Sequence, residues 1–185
     1  MNKAPISKYE ATGIFASIAM MALVLGFLRF NTGVTDVATV VEIEPDSQGA
    51  IVVAADDGRD GQSALADALV ESSTNDGQLQ NVVIDDILIG SGPKVEDGDT
   101  VTTHYIGSTQ DGVQFDNSYL KGEPFTFTVG DGKVIAGWEK GLIGMQKGGQ
   151  RILVIPPHMG YGDLEVGPIK AGSNLVFAVE LLDIK

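Results

Sequence analysis

The sequence predicts an α+β chain: a twisted antiparallel β-sheet wrapped on one short α-helix, preceded by an N-terminal transmembrane helix and an acidic linker. Three observations carry that expectation. From Leu79 onward, short runs rich in β-branched and aromatic residues alternate with Gly-, Asp- and Pro-containing turns, the pattern of an antiparallel sheet. A single helical stretch, Val134–Leu142, interrupts them and carries the only tryptophan, Trp138. One helix across one sheet buries a face of each, and about 105 residues suffice for one such core. The third observation is an uncharged apolar run near the N-terminus, followed by a markedly acidic stretch. Residues 1–30 are therefore read as a membrane anchor, 31–78 as a largely flexible linker and 79–185 as the folded domain.

The strands of the domain are expected near Val82–Ile89, Val101–Ile106, Phe125–Val129, Gln150–Ile155 and Leu175–Ile184. Turn signals separate them: Gly90-Ser-Gly-Pro, Glu96-Asp-Gly-Asp, Gln110-Asp-Gly, Gly130-Asp-Gly and Gly160-Tyr-Gly.

At the N-terminus no residue from Ile14 to Leu28 is charged, with Lys3 and Lys8 before the run and Arg29 after it. Residues 11–28 would span about 27 Å as a helix, near the thickness of a bilayer core. A secretory signal has a similar basic start, but Arg29-Phe-Asn follows the run in place of the small-x-small pattern of a cleavage site. An uncleaved anchor is the favoured reading. Lys3 and Lys8 favour a cytoplasmic N-terminus, which places the domain outside the cytoplasm.

Residues 31–80 hold ten acidic side chains against Arg59 alone. Such a segment repels itself and reads as an extended tether. It also contains two apolar runs, Val37–Ile43 and Ala50–Ala55, and a helical pattern from Ser63 to Glu71 in which Leu65, Ala66 and Leu69 share a face. A small element docked on the domain is the alternative.

Composition excludes several classes. With 12 basic and 25 acidic side chains and a formal charge of -13, the chain lacks the basic face that nucleic acid requires. Having no cysteine, it has no disulfides, thiolate metal sites or thiol nucleophiles. It has only two histidines, His104 and His158; a histidine metal site would need both, none is expected, and His104 reads as structural.

Seven segments of the domain resemble the FKBP-type peptidyl-prolyl cis/trans isomerases, in the family's order and nearly its spacing. They are Val101-Thr-Thr-His-Tyr-Ile-Gly, Asp111-Gly-Val-Gln-Phe-Asp-Asn-Ser, Pro124-Phe-Thr-Phe-Thr-Val-Gly and Val134-Ile-Ala-Gly-Trp-Glu-Lys-Gly-Leu. The others are Met145-Gln-Lys-Gly-Gly-Gln-Arg, Pro156-Pro-His-Met-Gly-Tyr-Gly and Asn174-Leu-Val-Phe-Ala-Val-Glu-Leu-Leu. The resemblance implies an enzyme that rotates X–Pro bonds in extracytoplasmic proteins, proline-containing polypeptides as substrates, and binding of the macrolide inhibitors of this class. It implies no cofactor, because the reaction needs neither redox chemistry nor group transfer.

The resemblance also places the site. Tyr105, Phe115, Asp116, Tyr161 and Phe177 correspond to catalytic positions, and Phe125, Val134, Ile135, Trp138 and Ile169 to substrate-binding ones. Trp138 would be the floor under the proline ring, with Tyr105, Phe125 and Phe177 as walls and Val134 and Ile135 at the rim. The Ile135 N–H and the Tyr161 hydroxyl would bond substrate carbonyls. Asp116 would orient side chains, with a turn cap as its alternative role. Phe127 and Leu153 read as core, and Arg151 as support for the sheet. The loop Asp163–Asn174 departs from the family pattern, leaving Ile169 as the candidate for its pocket-facing apolar position. A tethered binding or chaperone module that does not catalyse turnover is the alternative function.

Overall fold

A computed structural model describes residues 50–54, 73 and 78–185. The expected anchor and most of the expected linker lie outside the described residues. Among the described residues no helix is long and apolar enough to cross a membrane.

Among the described residues, nine strands and two short α-helices appear in chain order, with a single 3-10 turn at Pro157–Met159 between the last two strands. These are β1 (Ala50–Ala54), β2 (Val82–Leu88), β3 (Ser91–Lys94), β4 (Thr100–Thr109), β5 (Gln114–Asn117) and α1 (Ser118–Lys121). They continue as β6 (Phe125–Thr128), α2 (Ala136–Gly141), β7 (Gln146–Lys147), β8 (Gln150–Ile155) and β9 (Leu175–Ile184). The main sheet runs β1-β2-β8-β9-β4-β5, with β6 pairing the first half of β4, and β3 pairs β7 separately.

The sheet corrects the expected architecture in one respect. It is antiparallel from β2 onward, but β1 joins its edge in parallel with β2, Ala50 beside Val82 and Ala54 beside Asp86. The apolar run Ala50–Ala55, for which tether and docked element were both open, thus contributes a strand. Four further elements went unpredicted: β3, which begins within the expected Gly90-Ser-Gly-Pro turn, its partner β7, β5, and the one-turn helix α1, capped by the Asn117 side chain, which accepts from the Tyr119 and Leu120 N–H groups. The five expected strands and the expected helix are present with ends shifted by up to three residues.

Period-two alternation gives the sheet two buried faces. On the front, Val82, Ile84, Val101, Leu153, Ile155, Phe177, Val179 and Leu181 form a core with Trp138 and Leu142 of α2 and its following turn. On the back, Val83, Ile106, Ile152, Val154, Val176 and Ala178 form a second cluster.

Helix α2 seats on the front face because residue 137 has no side chain. A Cβ there would overlap the Cγ2, Cδ1 and Cγ1 atoms of Ile155. The helix therefore lies closer to β8 than any other residue type allows. Arg151 fixes its far end. The guanidinium, 3% exposed, donates to both carboxylate oxygens of Asp86 at 2.6 and 2.9 Å. It also donates to the carbonyls of Gly141 and Ile143 at 2.7 and 3.0 Å. Those carbonyls end the helix and would otherwise be left without partners in the interior.

Candidate active site

The site is built on Trp138, which the bare Gly137 turn of α2 lays against the sheet with 4% of its surface exposed. Four rings surround it edge-on or tilted: Tyr105 at 5.1 Å between ring centroids, Phe177 at 5.3 Å, Phe127 at 5.8 Å and Phe125 at 6.2 Å. Phe115 extends the ring on the far side, 5.5 Å from Phe177 and at 83° to it. Edge-to-face contact suits the quadrupoles of these rings and leaves the indole face free of a stacked neighbour among them. Phe125 is 38% exposed, so the basin opens on that side.

Each wall comes from a different element. Tyr105 lies on β4, Phe115 on β5, Phe125 and Phe127 on β6, and Phe177 on β9. Phe115 and Phe177 meet over Gly107 of β4, where a Cβ would lie 2.9 and 2.8 Å from their ring carbons. A side chain at that position would drive the two rings apart. Sequence reading did not single out Gly107 or Gly137, because their role is a close approach across the fold rather than a local turn.

The polar edge of the basin centres on Asp116. The Tyr105 hydroxyl donates to its Oδ2 at 2.6 Å, and the Asn117 N–H donates to its Oδ1 at 2.7 Å. Lys121, at the end of α1, places its ammonium 2.6 Å from the same Oδ1. Partial burial pushes the Asp116 carboxyl up, but Lys121, the Tyr105 hydroxyl and the Asn117 N–H together outweigh it and hold the group below the usual carboxylate range. Tyr105 moves the other way: burial, then the neighbouring Asp116 carboxylate, push its hydroxyl up to about 12. The pair therefore stays phenol and carboxylate across the physiological range. Ser118 locks the same corner from behind, its Oγ accepting from the Tyr105 N–H at 2.7 Å and lying 2.9 Å from His104 Nδ1. Neither Lys121 nor Ser118 was a sequence candidate; the one-turn helix that brings them back to β4 follows directly on the Asp-Asn pair and leaves no periodicity to read.

The ten sequence candidates all lie in the front core, against it, or in contact with its rings. Tyr105, Trp138, Phe177 and Ile169 lie within the front core, and Phe115, Val134, Ile135 and Tyr161 pack against it. Phe125 joins through its contacts with Tyr105 and Trp138, and Asp116 through Tyr105. Phe127 and Leu153, read as core, are 5% and 0% exposed. Ile169 is 3% exposed, held by a tight turn in which the Val166 and Ile169 backbones exchange hydrogen bonds of 3.0 and 2.9 Å. Among the described residues, the Ile135 N–H and the Tyr161 hydroxyl have no hydrogen-bond partner, and both groups lie at the basin's margin. No group of three or more acidic or histidine side chains poised for a metal occurs among the described residues.

With a neutral phenol and an ionised Asp116, the site has no group that titrates near neutrality in contact with the basin floor. Ligand binding and any turnover there are expected to be flat between about pH 6 and 9. Loss is expected only as acid protonates Asp116, below the ordinary carboxylate range. A pH titration of ligand affinity checks this, and a bell centred near neutrality would contradict it.

A cluster of aromatic rings around Trp138, on a sheet wrapped over one short helix, defines a small α+β domain. The sequence model of the FKBP-type peptidyl-prolyl cis-trans isomerases matches residues 92–182. FK506-binding protein 2 of Emericella nidulans is 52% identical over 93 residues, covering 50% of this chain and 69% of that protein. FK506-binding protein 4 of Chaetomium thermophilum is 52% identical over 107 residues, 58% of this chain, and this chain spans only 22% of its length. Among solved structures, AtFKBP13 superposes with a TM-score of 0.53 at 36% identity, covering 57% of this chain and 94% of that one. The chain belongs to the family of FKBP-type peptidyl-prolyl cis-trans isomerases.

Proposed function

We propose that this chain accelerates cis/trans rotation of X–Pro peptide bonds by binding the proline ring against Trp138. The observation that carries the reading is the set of edge-on or tilted rings of Tyr105, Phe125, Phe127 and Phe177 around the Trp138 indole, with no ring stacked on its face among them. The barrier to rotation is about 18–20 kcal/mol and reflects amide resonance. No bond breaks, so neither a nucleophile nor a proton donor is needed.

The planar amide is strongly polar and is stabilised by water. The twisted transition state has lost resonance and much of that charge separation, so an apolar basin favours it over the ground state. The Ile135 N–H and the Tyr161 hydroxyl supply hydrogen bonds to the carbonyls flanking the proline and hold them in the rotated orientation. Asp116, fixed by Lys121 and Asn117, holds the Tyr105 ring in the wall through the phenol hydrogen bond. Macrolides of the kind for which the FK506-binding relatives are named would occupy the same basin.

The test is isomerisation of a short X–Pro peptide by the full chain in detergent. Wild type is expected to accelerate the reaction, and Tyr161→Phe to retain it with kcat/KM lowered about threefold to tenfold, the share of one hydrogen bond of about 1 kcal/mol. A folded wild-type chain without acceleration would sink the reading.

The uncharged residues 11–28 and the flanking Lys3 and Lys8 support a membrane-anchored form acting on substrates outside the cytoplasm. Carbonate extraction and protease protection of intact cells test it: the chain should stay with the membrane, and its domain should be cut from outside.

A further inference from the structure

Strand β4 has a gap along one side. Its first part pairs β6 as far as Thr103, and its second part pairs β5 from Ile106 onward. His104 and Tyr105 fall between the two, although β9 pairs both of them on the other side. Tyr105 carries a wall of the basin, so what holds its backbone at this gap bears on the site.

One side chain fills the gap. The Ser118 Oγ accepts from the Tyr105 N–H at 2.7 Å and donates to the Tyr105 carbonyl at 3.2 Å, as a neighbouring strand would. Ser118 is 1% exposed, and without its hydroxyl both main-chain groups would lose their partner in the interior. The same Oγ lies 2.9 Å from His104 Nδ1. A hydroxyl has one hydrogen and two lone pairs. The hydrogen serves the Tyr105 carbonyl and one lone pair serves the Tyr105 N–H. The three contacts are therefore made together only if His104 carries a hydrogen on Nδ1.

The imidazole is held to that task from the back of the sheet. It stacks on Tyr119, with 4.4 Å between ring centroids and 19° between planes. The Tyr119 hydroxyl donates to Glu180 Oε2 at 2.7 Å, and Glu180 is the β9 partner of His104. His104 and Glu180 stand two residues along their strands from Ile106 and Ala178 of the back cluster, on the face opposite the basin.

We propose that His104 and Ser118 are positioning residues for the isomerase site. The Nδ1–H of His104 orients the Ser118 hydroxyl, which stands in for the missing strand and sets the Tyr105 wall against Trp138. This rests on the isomerase reading given above. Tyr105 is then held twice by one short segment, at its backbone by Ser118 and at its hydroxyl by Asp116. A slack bridge frees the ring to leave its edge-on place, 5.1 Å from Trp138 and at 87° to it. Protonation of the imidazole keeps the Nδ1 hydrogen, so the bridge adds no pH dependence near neutrality.

Two measurements on the full chain in detergent test the inference. Nitrogen NMR of ring-labelled histidine, taken above the ordinary histidine range, should show His104 with its hydrogen on Nδ1, the signal being assigned by its loss in His104→Asn. A hydrogen on Nε2 alone overturns the inference, whatever the kinetics. In isomerisation of an X–Pro peptide, His104→Phe keeps a ring against Tyr119 but removes the donor. It should lower kcat/KM about fivefold to tenfold, the share of one buried hydrogen bond. His104→Asn, which keeps a donor near the Nδ1 position without the ring, should recover most of that loss. In a chain already carrying Tyr105→Leu, His104→Phe should cost nothing further, because the wall through which it acts is gone. An undiminished cost there, or equal losses in the Phe and Asn variants, makes the role one of packing alone and overturns the proposal. Should Tyr105→Leu leave no measurable turnover, the tautomer and the Phe–Asn comparison decide. A folded wild type without acceleration sinks the isomerase reading, a result separate from the tautomer.

Discussion

Phe177→Ala is expected to lower kcat/KM for X–Pro peptide isomerisation about 100-fold, a loss of about 2.7 kcal/mol in transition-state stabilisation. The ring stands 5.3 Å from Trp138, 6.2 Å from Tyr105 and 5.5 Å from Phe115, so it touches the floor and two walls at once. Removing it admits water to the indole face, and water restores the advantage of the planar amide. Truncating a ring that is 5% exposed should also cost about 3–5 kcal/mol of stability. Denaturant titration must therefore accompany the kinetics, at a temperature where the variant remains folded. Phe177→Leu separates the two effects, since it refills most of the volume without the edge-on ring. A folded Phe177→Ala chain within threefold of wild type would show that the basin does not depend on this wall.

Gly137→Ala should destabilise the domain by about 1–3 kcal/mol, the range for forcing extra volume into a packed interior. One methyl group suffices because the position faces Ile155 directly, and the whole Ile155 side chain beyond Cβ lies in its path. The helix must lift, and the next residue along it is Trp138. Activity should fall with stability. Ile155→Ala removes the obstructing atoms, so combining the two substitutions should cost less than the sum of the single changes. A coupling of at least about 1 kcal/mol is the expected reading from a double-mutant cycle by denaturant unfolding. Additive effects would mean that helix α2 is not seated by this contact.

The same contact shows why the site was legible in the sequence and part of its support was not. Tyr105, Trp138, Phe177 and the other seven candidates stand in segments whose residue types suit the basin individually, so the family resemblance carried each one over. Gly137 and Gly107 matter through what lies opposite them, Ile155 in one case and Phe115 with Phe177 in the other, and a single chain does not display that pairing. Lys121 belongs to the same class: its ammonium reaches Asp116 only because α1 turns the chain back at once. Strands β8 and β9 were visible as near-continuous apolar runs, because hydrophobic residues fill both of their faces. The parallel strand β1 was not, because its acidic surroundings resemble a linker and its partner β2 lies 32 residues further along, Ala50 beside Val82.

The order of the strands governs when this domain can come into being. Strand β9, last in the chain order of the described elements, is not at an edge; it lies between β8 and β4, pairing Leu181 with Thr103 on one side and Phe177 with Leu153 on the other. While a ribosome is still delivering residues 175–184, β4 and β8 have no common neighbour, the back and front cores are split, and the basin lacks a wall. Contacts spanning nearly the whole domain must close before any of it is rewarded, which makes for slow, all-or-none folding. The two cores therefore become continuous, and the basin gains its last wall, only once β9 has slotted between β8 and β4.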